Sequence, residues 1–230
     1  YIVKTLEKLV NIPSVSGYYF DITEFIESEI KSFKNKSIEI KNLKRGGIFL
    51  TLKGSNSESG TLLSAHADTL GAMVKEILPN GYIKFVPIGG YSLLTILGNY
   101  CTIHTFDKKY KGTIVPKKAS VHAFSHDMEK DSIDTNNIII RLDEVVKTKE
   151  DVVNLGINVG DFTTFDPNFK IENTFIKSRH LDDKLGVAIL LGALKHISES
   201  KLKFTKDLYF LFSVFEEVGF GANITFPSNI

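Results

Sequence analysis

The sequence contains only one cysteine, Cys101, among its 230 residues. A lone thiol cannot form a disulfide within the chain, and its presence favours the reducing environment of the cytoplasm. No apolar run approaches the roughly 18 consecutive residues that a membrane-spanning helix requires, and no signal peptide opens the sequence. We therefore expect a cytoplasmic protein that has no membrane as a partner.

An excess of charge of either sign is also missing. Lys and Arg number 28 against 27 for Asp and Glu, so the formal net charge is +1. A chain so close to neutrality has no overall field that would attract nucleic acid or anionic lipid. We therefore expect no nucleic-acid partner. A chain of 230 residues can bury a proper hydrophobic core as one domain or two.

A strongly apolar segment, residues 208–215, ends directly at Glu216 and Glu217. Its aromatic and branched residues are typical of a strand buried on both faces, as in parallel sheets. Ligands of open α/β sheets bind at the carboxyl ends of such strands. Because successive strand residues point to opposite faces, one Glu is expected to face a bound ion and the other the substrate. A strand that simply ends in solvated charge is the alternative.

Two further clusters place acids and a histidine at the ends of predicted elements. Residues 61–65 are a second candidate for a buried strand, and this strand leads into His66 and Asp68. At a period of two these side chains share a face, so the carboxylate can orient the imidazole of His66. The third cluster, Asp182 and Asp183, lies between a strand-like segment, residues 174–177, and a helical run. One of this pair is expected to cap the helix, which leaves the other free.

Imidazole nitrogen and carboxylate oxygen are the donors that zinc, cobalt and manganese sites use. Since three separate clusters supply them, the sequence predicts a metal site at one edge of the sheet. A carboxylate can bridge two ions, and co-catalytic ions about 3.5–4 Å apart are a known hydrolytic device.

The motifs also resemble those of a known family, the tetrahedral aminopeptidases, also called deblocking or glutamyl aminopeptidases, which are dinuclear metallopeptidases. The matching segments are residues 65–68 with Gly71, residues 180–184 with Gly186, and residues 215–219 with Gly221. Weaker similarity extends to residues 13–17 and 156–167. The resemblance implies an α/β fold in which helices flank a mixed, mostly parallel sheet of the zinc-exopeptidase kind, with an inserted β-rich domain.

Carried over to this chain, the resemblance makes His66, Asp182 and Glu217 the metal ligands and Asp182 the bridging carboxylate. It makes Glu216 the general base and Asp68 the residue that orients His66. The cofactors would be two divalent metal ions per subunit, with zinc or cobalt expected. The resemblance also implies that the peptide bond between Asp182 and Asp183 is cis.

One part of the family pattern is missing from the sequence. The family completes its site with another Asp and with a His near the carboxyl terminus, whereas residues 218–230 contain no Asp, Glu or His. The chain also begins at Tyr1 without an initiator Met. We therefore expect it to be part of a longer protein, and we expect this segment alone to bind metal weakly or not at all.

The pattern of apolar and polar residues changes between the cluster at His66 and Asp68 and the cluster at Asp182 and Asp183. Residues 69–173 consist of short apolar segments and turns with almost no helical period, so we predict a β-rich domain inserted into a catalytic domain formed by residues 1–68 and 174–230. In the resembling family this inserted domain mediates assembly, which implies a homo-oligomer and eventually a dodecamer.

The expected reaction is release of amino-terminal residues from peptides by attack of a water that the ions activate, with Glu216 as base. A metal-dependent deacylase, a glycosidase that uses Glu216 and Glu217 as its acid and nucleophile, and a non-catalytic homologue are the alternatives. The histidines outside the three motifs are expected to be structural or exposed: His104, His122, His126 and His196. A second metal site at His122, His126 and Asp127 is a weaker alternative.

Overall fold

The computed structural model describes residues 1–124, 131–200, 202–222 and 224–230. His126 and Asp127, two residues of the weaker alternative metal site, lie outside the described residues. The α-helices are α1 (Ile2–Asn11), α2 (Phe20–Ser32), α3 (Val121–Phe124), α4 (Lys149–Asn154) and α5 (Leu181–Ser200). The strands are β1 (Ile38–Asn42), β2 (Ile48–Leu52), β3 (Asn56–His66), β4 (Gly71–Ile77), β5 (Ile83–Ile88), β6 (Tyr100–His104), β7 (Lys109–Pro116), β8 (Ile138–Leu142), β9 (Phe162–Phe165), β10 (Lys170–Glu172), β11 (Phe175–Lys177) and β12 (Lys206–Ser213).

The chain divides into two compact units. The first consists of Tyr1–Thr69 and Pro167–Ile230, and the second is Leu70–Asp166. The second unit is shorter than the range 69–173 inferred from the sequence pattern, because Thr69 and residues 167–173 belong with the first unit.

The first unit contains a four-stranded sheet with the order β1-β2-β12-β3. Strands β1 and β2 form an antiparallel hairpin, β2 and β12 pair antiparallel, and β12 and β3 pair parallel. The prediction of a mixed sheet in an α/β fold is therefore confirmed. The prediction that the sheet is mostly parallel is wrong for the described strands, because the hairpin supplies β2 as an antiparallel neighbour of β12.

Helices α1, α2 and α5 bury one face of this sheet. Their apolar stripes meet alternate residues of the strands in a core that includes Leu9, Ile26, Leu191, Phe210 and Phe212. Each fully buried side chain of this size stabilises the fold by about 1.5–3 kcal/mol. The intervening residues Tyr209 and Leu211 lie in a smaller apolar cluster with Phe49. Strand β12 is therefore buried on both faces over most of its length, as predicted.

Strand β3 differs from the prediction in where it begins and in how much of it is buried. It begins at Asn56, before the predicted range of residues 61–65, and within that range only Ala65 is buried. Within the described part of the chain β3 lies at the end of the sheet order, with β12 as its paired neighbour there. The exposure of Thr61, Leu63 and Ser64 follows from that place, so the prediction of a buried strand is wrong before Ala65.

The second unit is a closed barrel with the strand order β4-β5-β8-β7-β6-β9. Its core is formed by side chains such as Ile83, Phe85, Ile103, Ile114 and Ile140. Closure pairs the strands around the ring, and this removes the open edges that a flat sheet of the same strands would have. In the ranges that the structure describes, no helix combines the length and apolar character needed to cross a membrane.

Candidate metal centre

His66 is the last residue of β3 and lies opposite Ser213, the last residue of β12, in the parallel register. Its side chain is almost fully buried. Nδ1 lies 3.1 Å from the backbone carbonyl oxygen of Asp68, which can only accept a hydrogen bond. In the neutral imidazole this contact keeps the proton on Nδ1, so the lone pair of Nε2 is available to a cation.

Two carboxylates approach Nε2 of His66 from other parts of the chain. Oδ1 of Asp182 lies 3.1 Å away and Oε2 of Glu216 lies 3.5 Å away. The side chain of Asp182 is 92% exposed and that of Glu216 is 55% exposed, so both carboxylates are open to solvent. The structure therefore brings one residue from each of the three sequence clusters to the same ring nitrogen.

Asp68 contacts His66 and the backbone of Glu216, and it is completely buried. Its Oδ1 lies 3.5 Å from Nδ1 of His66 and accepts a hydrogen bond from the backbone N–H of Glu216 at 3.1 Å. Its Oδ2 accepts hydrogen bonds from the backbone N–H of Glu217 at 3.2 Å and from the hydroxyl of Ser16 at 2.5 Å. One carboxylate thus contacts the histidine ring and the backbone that carries both glutamates.

Glu216 and Glu217 do not continue the strand. Strand β12 ends at Ser213, and Glu216–Val218 form a single turn of 3₁₀ helix that closes at Gly219 with φ of +83°. The expectation that the pleat of a strand directs the two side chains to opposite faces is therefore wrong, and the helical turn separates them instead. Of the two carboxylates, the structure places that of Glu216 against His66.

Asp182 and Asp183 divide their roles at the start of α5. Both have non-helical backbone angles, and Oδ1 of Asp183 accepts a hydrogen bond from the backbone N–H of Gly186 at 3.1 Å. Asp183 is therefore the helix cap, and Asp182 is left free to reach His66, as expected for this pair. The peptide bond between them is cis, as the resemblance implied. The preceding strand-like segment is β11, which pairs with β10 in a separate two-stranded sheet.

The acidic groups shift one another's ionisation. Burial lowers the pKa of His66, but the hydrogen bond with Asp68 and the charges of Asp68 and Glu216 outweigh it and raise the pKa to about 9. Burial raises the pKa of Glu217, and the carboxylates of Asp68, Asp182 and Glu216 add to that rise while His66 opposes it. Burial also acts to raise the pKa of Asp68, but its hydrogen bonds from His66, Ser16, Glu216 and Glu217 lower it below the usual value.

A cavity of about 340 Å³ opens beside this cluster, and its lining includes His66, Asp183 and Glu216. Its rim carries Gly219 and Gly221, and a Cβ atom built on Gly221 would lie 2.8 Å from Cβ of Glu216. The glycine therefore leaves the space that the Glu216 side chain occupies.

The donors present have the chemistry that a divalent metal ion requires. Two ligands about 2.0–2.1 Å from a tetrahedral zinc ion lie roughly 3.3 Å from each other. The 3.1 Å between Nε2 of His66 and Oδ1 of Asp182 is close to that spacing. Among the residues that the structure describes, however, no group of three or more His, Cys, Asp or Glu side chains converges closely enough to hold an ion by itself.

Two residues next to this cluster were not singled out from the sequence. Ser16 donates to Asp68 from the loop between α1 and α2. Lys184 is fully buried, and its Nζ donates to the carbonyl oxygens of Leu9 and Ile12 at the end of α1. Burial lowers the pKa of Lys184 to about 7. Both residues belong to segments that carry the family resemblance, but nothing in residue type or spacing marked them individually.

Three histidines of the described chain that lie outside the sequence motifs are not part of this cluster: His104, His122 and His196. His104 is buried, and its Nε2 lies 2.8 Å from Oγ1 of Thr164 in the barrel. His122 and His196 are exposed. These positions agree with the structural and surface roles expected from the sequence.

Comparison with known proteins gives relatives over nearly the whole chain. The protein YhfE of Bacillus subtilis (strain 168) is 41% identical over 98% of this chain and 64% of its own length. A lysyl aminopeptidase of Pyrococcus furiosus is 27% identical over 93% of this chain and 59% of its own length. The chain therefore spans about three fifths of the length of these curated relatives.

Solved structures agree with these matches. The TET1 peptidase of Pyrococcus horikoshii, which can assemble into a tetrahedron or a large octahedral shell, superposes with a TM-score of 0.80 and 27% identity, over 96% of this chain and 64% of that one. Residues 46–230 match the M42 glutamyl aminopeptidase family. This match covers most of the chain and confirms the resemblance inferred from the three motifs. The chain belongs to the M42 glutamyl aminopeptidase family.

Proposed function

We propose that the protein to which this chain belongs is a metal-dependent aminopeptidase that releases amino-terminal residues from peptides. The observation that carries the proposal is the meeting of His66, Asp182 and Glu216, from three distant motifs, at one ring nitrogen beside a cavity. Family membership supports the same reaction class, since a lysyl aminopeptidase is among the relatives.

In this proposal His66, Asp182 and Glu217 would hold two divalent metal ions, with zinc or cobalt expected, since imidazole and carboxylate donors suit both. When bound, such ions lower the pKa of a water molecule and polarise the peptide carbonyl. Asp182 is 92% exposed and lies beside Nε2 of His66, so it is the carboxylate that both ions would share. Asp68 holds His66 with Nε2 directed toward the carboxylates.

Glu216 acts as the general base in the same proposal. Its carboxylate is exposed to solvent and borders the cavity, so it can take a proton from the attacking water and return it to the leaving amine. The turn that carries Glu216 is held by its backbone hydrogen bond to Asp68. Asp68 itself is too buried to exchange protons with a substrate.

Hydrolysis assays on the whole protein test this function. We expect cleavage of amino-acid amides that have a free amino group, loss of this activity in chelator, and its return with zinc, cobalt or manganese. The exposed variant Glu172→Gln, in the same unit, is the control and is expected to retain parental activity.

Three other outcomes would overturn the proposal. Turnover of N-acyl amino acids alone would indicate a deacylase. Chelator-insensitive hydrolysis of sugars would indicate a glycosidase. Binding of metal without turnover of any amide would indicate a non-catalytic homologue.

We further propose that the barrel supports self-assembly into a homo-oligomer in a reducing, cytoplasmic environment. The assembly reported for the Pyrococcus horikoshii relative supports this, and so does the fully exposed ring of Phe106 in the turn between β6 and β7. The single Cys101 is buried in the barrel core, where burial raises its pKa to about 12.

Light scattering on Phe106→Asp measures this assembly. A partner surface that contains Phe106 would lose stability when a charge replaces the ring, so we expect a smaller particle. Asn80→Asp places the same charge in another exposed turn of this unit and is expected to keep the parental size. An unchanged particle size in the Phe106 variant would show that Phe106 is not part of the assembly surface.

A further inference from the structure

Ser16 lies in the loop between α1 and α2 and is almost fully buried. Its hydroxyl donates to Oδ2 of Asp68 at 2.5 Å, although 52 residues separate the two in sequence. The loop is joined to the segment that follows β3 by two backbone hydrogen bonds, Thr69 N–H to the carbonyl of Ser14 at 2.9 Å and Ser16 N–H to the carbonyl of Thr69 at 3.4 Å. The backbone around Ser16 is therefore held in place by hydrogen bonds to the segment that contains Asp68.

The carboxylate that Ser16 contacts has several partners to satisfy at once. Oδ1 of Asp68 faces His66 and the N–H of Glu216, while Oδ2 receives the N–H of Glu217 and the hydroxyl of Ser16. A carboxylate can rotate about its bond to Cβ, and each rotation would weaken some of these contacts. Ser16 approaches from a different segment from the other partners, so its short hydrogen bond limits that rotation.

We propose that Ser16 is a positioning residue of the metal centre: its hydroxyl holds the carboxylate of Asp68 in the one orientation that contacts both the ring of His66 and the backbone of Glu216 and Glu217. This inference rests on the proposed function, because it assigns Ser16 to the same site. Ser16 touches neither substrate nor ion and acts only through Asp68.

A buried serine with no role beyond its own packing is the competing explanation, and the chain provides a matched comparison. Ser14 lies two residues away in the same loop, is also buried, and donates to the backbone carbonyl of Ala67 at 2.7 Å. Ser14→Ala and Ser16→Ala each remove one buried hydroxyl from the same loop. Only the second change removes a donor from Asp68.

The test is a double-mutant cycle on the whole protein, with cobalt affinity measured by competition with a chelator. Ser16→Ala is expected to weaken cobalt binding about tenfold, the lower end of the effect typical of residues that orient metal ligands. In an Asp68→Asn background the same substitution is expected to change the affinity by less than about twofold, because Ser16 acts through that carboxylate. Ser14→Ala is expected to lower the melting temperature, because a buried hydrogen bond is lost, and to leave the affinity within about twofold of the parent.

An equal loss of cobalt affinity in Ser14→Ala and Ser16→Ala would overturn the inference, as would an undiminished effect of Ser16→Ala in the Asp68→Asn background. If Ser16→Ala does not fold, Ser16→Cys keeps a side chain of similar size with a weaker donor and is measured with the same expectations. Metal affinity is read without any substrate. A parent that binds cobalt but cleaves no amide would therefore count against the proposed function and leave the test of Ser16 intact.

Discussion

The carboxylate of Asp68 accepts a hydrogen bond from the backbone N–H of Glu216, which lies 148 residues further along the chain. The neighbouring N–H of Glu217 donates to the other oxygen of the same carboxylate. Strands β3 and β12 are already paired in parallel up to His66 and Ser213, and these two bonds continue the connection beyond the ends of the strands. The turn that presents both glutamates is therefore held by a residue that does not itself face the cavity.

Asp68→Asn should separate this positioning role from general stability. The amide cannot accept hydrogen bonds at both of its terminal atoms, so one contact with the turn or with Ser16 is lost. We expect metal affinity to fall about 10–100-fold, as is typical when a residue that orients a metal ligand is changed. Chelator competition measures the affinity, and thermal unfolding measures stability.

Asp207→Asn is the matched control for that prediction. Asp207 is also fully buried, and it accepts hydrogen bonds from Gly54, Lys53, Ser57 and Tyr209 at the opposite end of β12. We expect this variant to melt at a lower temperature but to bind metal with parental affinity. If both variants lowered the affinity equally, the effect of Asp68 would be one of stability alone.

Glu216→Gln and Glu217→Gln should fail in different ways if the first is the base and the second a ligand. Glu216→Gln is expected to lower kcat about 10²–10⁴-fold while metal content stays parental, because the amide cannot take a proton. Glu217→Gln is expected to lose metal. Elemental analysis of the purified variants, together with kcat at saturating metal, distinguishes the two. Loss of metal from the Glu216 variant instead would exchange the two roles.

Gly221→Ala should disturb the proposed base without removing any polar group. The new methyl would lie 2.8 Å from Cβ and 2.9 Å from Cγ of Glu216, a spacing at which one of them must move. A misplaced base lowers the rate, so we expect kcat to fall at least about tenfold with metal content retained. Gly90→Ala has open space around its new methyl and is expected to leave kcat unchanged. Parental kcat in the Gly221 variant would show that Glu216 tolerates the displacement.

The stability of the protein should depend on pH through His104 in the barrel. Burial lowers the pKa of His104 to about 4, with the charges of Lys109 and Lys111 adding to the effect, whereas the unfolded value is about 6.5. Below pH 6.5 the unfolded chain therefore binds a proton that the folded chain does not, so stability is lost as the pH falls toward 4. The loss contributed by one such group approaches about 1.4 kcal/mol per pH unit.

His104→Gln should reduce this dependence. We expect the free energy of unfolding of the parent to fall by about 1–2 kcal/mol more than that of the variant between pH 7 and pH 5. Urea unfolding at the two pH values measures the difference. An identical pH dependence in both proteins would show that His104 titrates normally in the fold.

The sequence alone determined which residues are candidates for the chemistry and which family the chain resembles. Short segments around His66, Asp182 and Glu216 combine potential metal donors with nearby glycines. This local pattern can be recognised in the sequence without a structure. The apolar character of β12 and the division of roles between Asp182 and Asp183 were also predictable, because burial and helix capping depend on neighbouring residues.

Only the tertiary structure decided how these groups meet. The glutamates lie on a 3₁₀ turn instead of a strand, β12 has an antiparallel neighbour in β2, and Ser16 reaches Asp68 from 52 residues away. Periodicity could not predict these features, since strand partners and buried hydrogen bonds are chosen by long-range packing of segments that carry no signal of each other. The residue types were thus set by local sequence, and their orientation by contacts that form only when the chain is folded.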